Sequence, residues 1–138
     1  MISAPEFNEL SGIVLGRSDM TASMGLSKME VNSELILNIA QVISNRIMPT
    51  NKELIIGGNV SLESIPFFNV IQYLNKFETR KIIFDSKVLN QPKVSEALNK
   101  AFEFEIMWLK NKRDAYGIIL SQDEDRLEML RKSISLYS

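Results

Sequence analysis

Residues Gly12 to Gly25, Gly-Ile-Val-Leu-Gly-Arg-Ser-Asp-Met-Thr-Ala-Ser-Met-Gly, constrain this chain more than any other stretch. A short apolar run, Ile13-Val14-Leu15, stops at Gly16, and a turn of small and hydroxylated residues follows with one acidic group, Asp19. A buried apolar run ending in a polar, glycine-bounded loop is how a parallel strand brings a functional side chain to the carboxyl end of a sheet. The first strand is therefore expected at about residues 12–16.

The same rhythm recurs downstream. Asn32 or Ser33 is a suitable N-cap, and Ile36, Ile39, Ala40, Ile43 and Ile47 then follow at helical spacing until Pro49. Glu53 to Ile56 reads as a second strand closed by Gly57-Gly58, and Ser61 as the cap of a helix carrying Leu62, Ile65, Phe68 and Ile71. Pro66 is tolerable there, because the first turn of a helix has no intrahelical N–H partner to lose. For the third strand two readings stand. Either residues 73–77 form it, with Glu78-Thr79-Arg80 at its carboxyl end, or Lys81-Ile82-Ile83-Phe84 does; the first keeps the rhythm and is preferred. Asn90 and Pro92 open a long helix with Val94, Leu98, Ala101, Phe102, Ile106 and Leu109 on its buried stripe. Ser121 with Glu124 is a capping box for a last helix carrying Leu127, Leu130 and Ile134. Strands alternating with helices mean parallel pairing and an α/β fold in a single domain over residues 1–138.

Composition narrows the chemistry. The 138 residues, 45% of them hydrophobic, can bury a core, and there is neither cysteine nor histidine. Thiolate nucleophiles and imidazole bases are thereby excluded, leaving carboxylates, Lys/Arg, hydroxyls, backbone amides or a metal held by oxygen. A net charge of −1 with no basic block gives no footprint for nucleic acid. No apolar run approaches the roughly 20 residues of a membrane span, and the first ten residues lack the pattern of a signal peptide, so a cytoplasmic protein is expected.

In wording as well as pattern, Gly12-Ile13-Val14-Leu15-Gly16-Arg17-Ser18-Asp19 resembles the strand and loop that carry a metal-binding aspartate in the aldolase/citrate lyase (HpcH/HpaI) family. Three further stretches extend the resemblance, in order: Gly57-Gly58-Asn59-Val60-Ser61 with Ser64-Ile65-Pro66, Phe77 to Asp85, and Phe102-Glu103-Phe104-Glu105 with Trp108 to Lys112. The first is a general signature of the family, whereas the other three look like a particular bacterial subgroup. Together they span residues from about 10 to about 135.

The resemblance implies the C-terminal portion of a (β/α)8, or TIM, barrel: about three parallel strands with crossover helices, the sixth to eighth, followed by two C-terminal helices. It implies part of a carbon–carbon lyase acting on a pyruvate- or acyl-type substrate with Mg2+ or another divalent metal, acting as a Lewis acid on the developing enolate. Asp19 would be the metal ligand. Gly16, Arg17, Ser18 and Asp19 would hold the substrate carboxylate, through backbone amides as in an anion-binding nest. Where many members have proline, Arg17 would add a positive group at the rim. Asn59, Glu78 and Arg80 are candidate rim residues.

A complete barrel of this type needs about 250 residues. The family's metal-binding glutamate falls one unit upstream of the aspartate, before Met1, so the chain by itself is expected to be inactive. A non-catalytic relic or assembly module keeping the α/β packing is the alternative. Three strands cut from a barrel leave open edges and an uncovered apolar face, so a homo-oligomer or a complementing chain is expected. Each assignment has a plainer rival. Asp19 can cap its own turn. The Gly57-Gly58 stretch can be an ordinary turn before an N-cap, and Glu78 can simply pair with Arg80. Phe102, Phe104, Trp108 and the nearby methionines are expected in the core.

Overall fold

A computed structural model describes residues 4–116 and 121–137. Pro5–Glu9 forms a 3-10 turn that buries Phe7, and the chain then enters strand β1, Gly12–Gly16. Helix α1, Arg17–Ser23, follows with no intervening loop. The polar turn expected around Asp19 is therefore helical, with Gly16 as its N-cap. A second 3-10 turn, Lys28–Asn32, is opened by a Ser27/Glu30 capping box. Ser33 then caps α2, Glu34–Ile47, by accepting from the Ile36 amide.

Strand β2, Glu53–Gly57, and helix α3, Ser64–Asn69, form the next unit. The helix starts later than Ser61 suggested, because the Ser61 amide donates to Ser64 Oγ at 3.1 Å and closes a turn before the helix begins. The two readings of the third strand are both partly right: β3, Lys76–Glu78, and β4, Ile83–Asp85, form an antiparallel hairpin. Asn75 shows why β3 is short at its start. Its amide donates to the Leu54 carbonyl, and its side-chain oxygen accepts from the Leu54 amide, so a side chain completes the ladder there. Two long helices finish the described chain, α4 (Val94–Tyr116) and α5 (Ser121–Tyr137).

The sheet has the order β1-β2-β3-β4, with β1, β2 and β3 parallel and β4 antiparallel at the far edge. The fold is α/β with an open four-stranded sheet. Alternation along the strands separates two faces. Ile13, Leu15, Leu54, Ile56, Phe77 and Phe84 point into one hydrophobic cluster with Ile36, Ala40 and Ile47 of α2 and Phe67 and Phe68 of α3. Phe68, Phe77 and Phe84 stack in series, with centroids 4.8 and 5.1 Å apart. Leu98, Phe102 and Leu109 of α4 and Leu127 and Leu130 of α5 belong to the same cluster.

The other face stays open. Val14 is 58% exposed and Ile83 61%, and between them Glu53 and Lys76 form an ion pair at 2.8 Å. Phe104, Met107 and Trp108, expected in the core, lie on the exposed side of α4, where Lys81 rests over the Trp108 ring at 3.5 Å. Among the described residues no helix is long and apolar enough to cross a membrane.

Candidate functional site

The three parallel strands end on the same side, so the segments after β1, β2 and β3 converge at their carboxyl ends. There they enclose a cleft of about 500 Å³. Ser18, Lys28, Gly58, Asn59, Glu78, Thr79 and Arg80 line one side, and α5 supplies the other through Gln122, Asp123, Asp125, Arg126 and Met129. Of the residues singled out in the sequence, Ser18, Asn59, Glu78 and Arg80 are brought together here. Gly16, Arg17 and Asp19 do not line the cleft.

Arg17 overturns the expectation of a rim cation. The residue is fully buried, and each of its five N–H donors has an acceptor inside the protein. Nε donates to the Gly57 carbonyl at 3.2 Å, Nη2 to the Gly58 carbonyl at 3.0 Å and to Ser64 Oγ at 3.2 Å, and Nη1 to the Val31 carbonyl and to Asn32 Oδ1. The rings of Phe67 and Phe68 flank the guanidinium, their centroids 4.7 and 5.0 Å away. With its donors saturated and its charge sealed from solvent, this side chain cannot grip a substrate directly. It staples the start of α1 to the segments after β2 and before α2.

That staple brings two backbones close together. Gly58 has φ +87°, and a Cβ placed on it would come within 2.5 Å of the Ser18 amide nitrogen and 2.7 Å of that of Arg17. Only glycine fits there. Asn59 continues the turn at φ +48° and donates from Nδ2 to the Lys28 carbonyl at 3.2 Å, fixing the Lys28 segment against the cleft.

The charges of the cleft fall into two sets. Arg126 is held by Glu105 through two hydrogen bonds, and Asp123 by Lys112 at 3.0 Å. Lys28, Arg80, Glu78 and Asp125 have no ion-pair partner among the described residues, so Glu78 and Arg80 do not neutralise one another. Two cations and two carboxylates are thus left to meet a ligand.

Asp19 stands apart from this. Its side chain is exposed in the first turn of α1, next to Gly16, and makes no hydrogen bond or ion pair among the described residues. No cluster of three or more Asp or Glu side chains able to hold a metal occurs among the described residues. A hard divalent cation takes several oxygen ligands, and one solvent-facing carboxylate would leave it hydrated. The residues present do not fit the metal site that the resemblance implies.

The α5 wall, Lys28 and the buried role of Arg17 were not anticipated. The Ser27/Glu30 capping box could have located the Lys28 turn, since Ser-x-x-Glu is a readable signal. No local signal marks an arginine after a strand-ending glycine as buried. No protein-family model matches the chain, and no curated protein or solved structure matches it either.

Proposed function

We propose that this chain is the C-terminal portion of a barrel of the aldolase/citrate lyase type, and that its cleft binds a small-molecule carboxylate of the pyruvate or acyl class. The observation that carries the reading is the strand order. Consecutive parallel strands β1, β2 and β3 are spatial neighbours in sequence order, and one face of the sheet is packed against the helices. Barrels advance in this way and place their sites at the carboxyl ends of the strands. Each half of a doubly wound sheet also sets consecutive strands side by side, but such sheets are covered on both faces, whereas one face is open here. The antiparallel β4 at the far edge departs from an all-parallel barrel. Lys28 and Arg80 would receive the carboxylate, and Ser18, Thr79 and Asn59 the neighbouring oxygens. The metal-dependent step of such lyases is not assigned to this chain, because Asp19 lies outside the cleft. Titration calorimetry with pyruvate tests the reading: saturable binding that weakens about tenfold in Arg80→Ala supports it, and no binding to the wild-type chain refutes it.

A second reading, a non-catalytic assembly module, is favoured by the isolation of Asp19 and by the open sheet face with Val14 and Ile83. The same titration separates the two. A module with no ligand of its own leaves the cleft indifferent to pyruvate while still self-associating.

A further inference from the structure

Arg17 carries a positive charge into the interior, and among the described residues no acidic side chain pairs with it. All five acceptors of its N–H groups are neutral: the carbonyls of Val31, Gly57 and Gly58, the amide oxygen of Asn32 and the hydroxyl of Ser64. Burial lowers the guanidinium from its ordinary value to about 10, so it stays charged at neutral pH. A buried cation solvated only by dipoles keeps most of its field, because the surrounding interior screens it weakly.

Little separates this charge from the cleft. Gly58, whose carbonyl accepts from Nη2, lines the cleft, and so does Ser18, the residue next to Arg17 in the chain. The same guanidinium ties down the Val31-Asn32 end of the turn that bears Lys28. The Gly57-Gly58 segment is held at Gly57 and again at Gly58.

We propose that Arg17 is a positioning residue for the cleft. It fixes the Gly57-Gly58 wall and the Lys28 turn, and its unanswered charge makes the cleft prefer anions to neutral ligands of the same shape. This rests on the reading of the cleft as a carboxylate site. A purely structural Arg17 would hold the same segments without discriminating charge, and that difference is measurable.

The experiment compares pyruvate with its neutral amide, pyruvamide, as probes on the full chain by calorimetry. The wild type is expected to bind pyruvate about tenfold more tightly than pyruvamide. Arg17→Lys retains the charge and should keep the preference. Arg17→Met removes the charge and should cut the preference about fivefold or more. A folded Arg17→Met with wild-type preference overturns the inference while leaving the carboxylate site standing. Binding of neither probe to the wild type overturns both. Should Arg17→Met fail to fold, nitrogen-15 NMR of the wild-type Arg17 Nε–H gives the answer. The resonance should move when pyruvate binds and not with pyruvamide, and a resonance unmoved by bound pyruvate refutes the inference.

Discussion

Glu105 and Arg126 meet in the interior through two parallel hydrogen bonds, Nε to Oε1 at 2.9 Å and Nη2 to Oε2 at 3.0 Å, and so lock α5 onto α4. The pair is 1% and 7% exposed, which makes it the one deeply buried ion pair among the described residues. Its consequence reaches the cleft, because α5 supplies the wall that carries Gln122 and Asp125. Glu105→Ala should destabilise the fold by about 3–5 kcal/mol, since it leaves the Arg126 charge buried without a partner. The double replacement Glu105→Leu with Arg126→Met should come within about 1 kcal/mol of the wild type, because it removes both desolvation penalties together. Urea unfolding of the three proteins checks both expectations. A Glu105→Ala chain as stable as the wild type would show that α5 is not anchored here.

Gly58 and Gly25 both have positive φ, +87° and +71°, but only Gly58 is crowded by the backbone. Gly25→Ala meets nothing within 4 Å and should cost about 1 kcal/mol, the conformational penalty alone. Gly58→Ala adds a collision with the Ser18 and Arg17 amides to the same penalty and should cost about 3 kcal/mol or more. Thermal unfolding of the two variants side by side separates strain from contact. Equal losses would mean that the approach of Gly58 to α1 relaxes freely.

Much of this architecture was legible in the chain, and the failures share a cause. The helix after Ser33 and the strands ending at Gly16 and Gly57 follow from caps, helical spacing and glycine punctuation, all of which act over a few residues. The β3–β4 hairpin was only half legible. Thr79 closes it by accepting the Ile82 amide with its hydroxyl, and Asn75 substitutes for a ladder position, both being side-chain contributions that periodicity does not register. Arg17 and Asp19 illustrate the harder limit. Which of two charged neighbours turns inward is decided by Gly57, Gly58 and Ser64, some 40 residues away in sequence. The convergence of Ser18, Asn59, Glu78 and Arg80 could be anticipated because parallel strands place all their carboxyl ends on one side.

Asp19 gives a direct test of metal binding by this chain. With Asp19 alone at its position and no acidic cluster among the described residues, the isolated chain should be indifferent to Mg2+. Millimolar MgCl2 is expected to leave its melting temperature unchanged, and Asp19→Asn should melt with the wild type. The isolated chain should also show no lyase turnover with or without metal. A metal-dependent rise in melting temperature that Asp19→Asn abolishes would restore Asp19 as a ligand.

The two edges of the sheet are unequal, and that inequality makes the assembly testable. Strand β4 is three residues long and ends in Asp85, features that discourage pairing with another chain. Strand β1 offers no such protection: Gly12–Gly16 contains no charge and no proline, and Val14 at its centre is 58% exposed. It is the terminal strand of the sheet, and among the described residues no strand pairs with its outer edge. The β1 sequence is apolar on both sides of Val14, so a second copy can pair with it antiparallel about that residue. Self-association through β1, or capture of a complementing chain there, is therefore expected, and sedimentation from micromolar to millimolar concentration should show mass rising with concentration. Val14→Lys puts a charge at the centre of the edge and should shift the protein to monomer without unfolding it, since the side chain already faces solvent. A wild type that remains monomeric throughout that range would remove β1 as an interface and leave the open face a plain solvent surface.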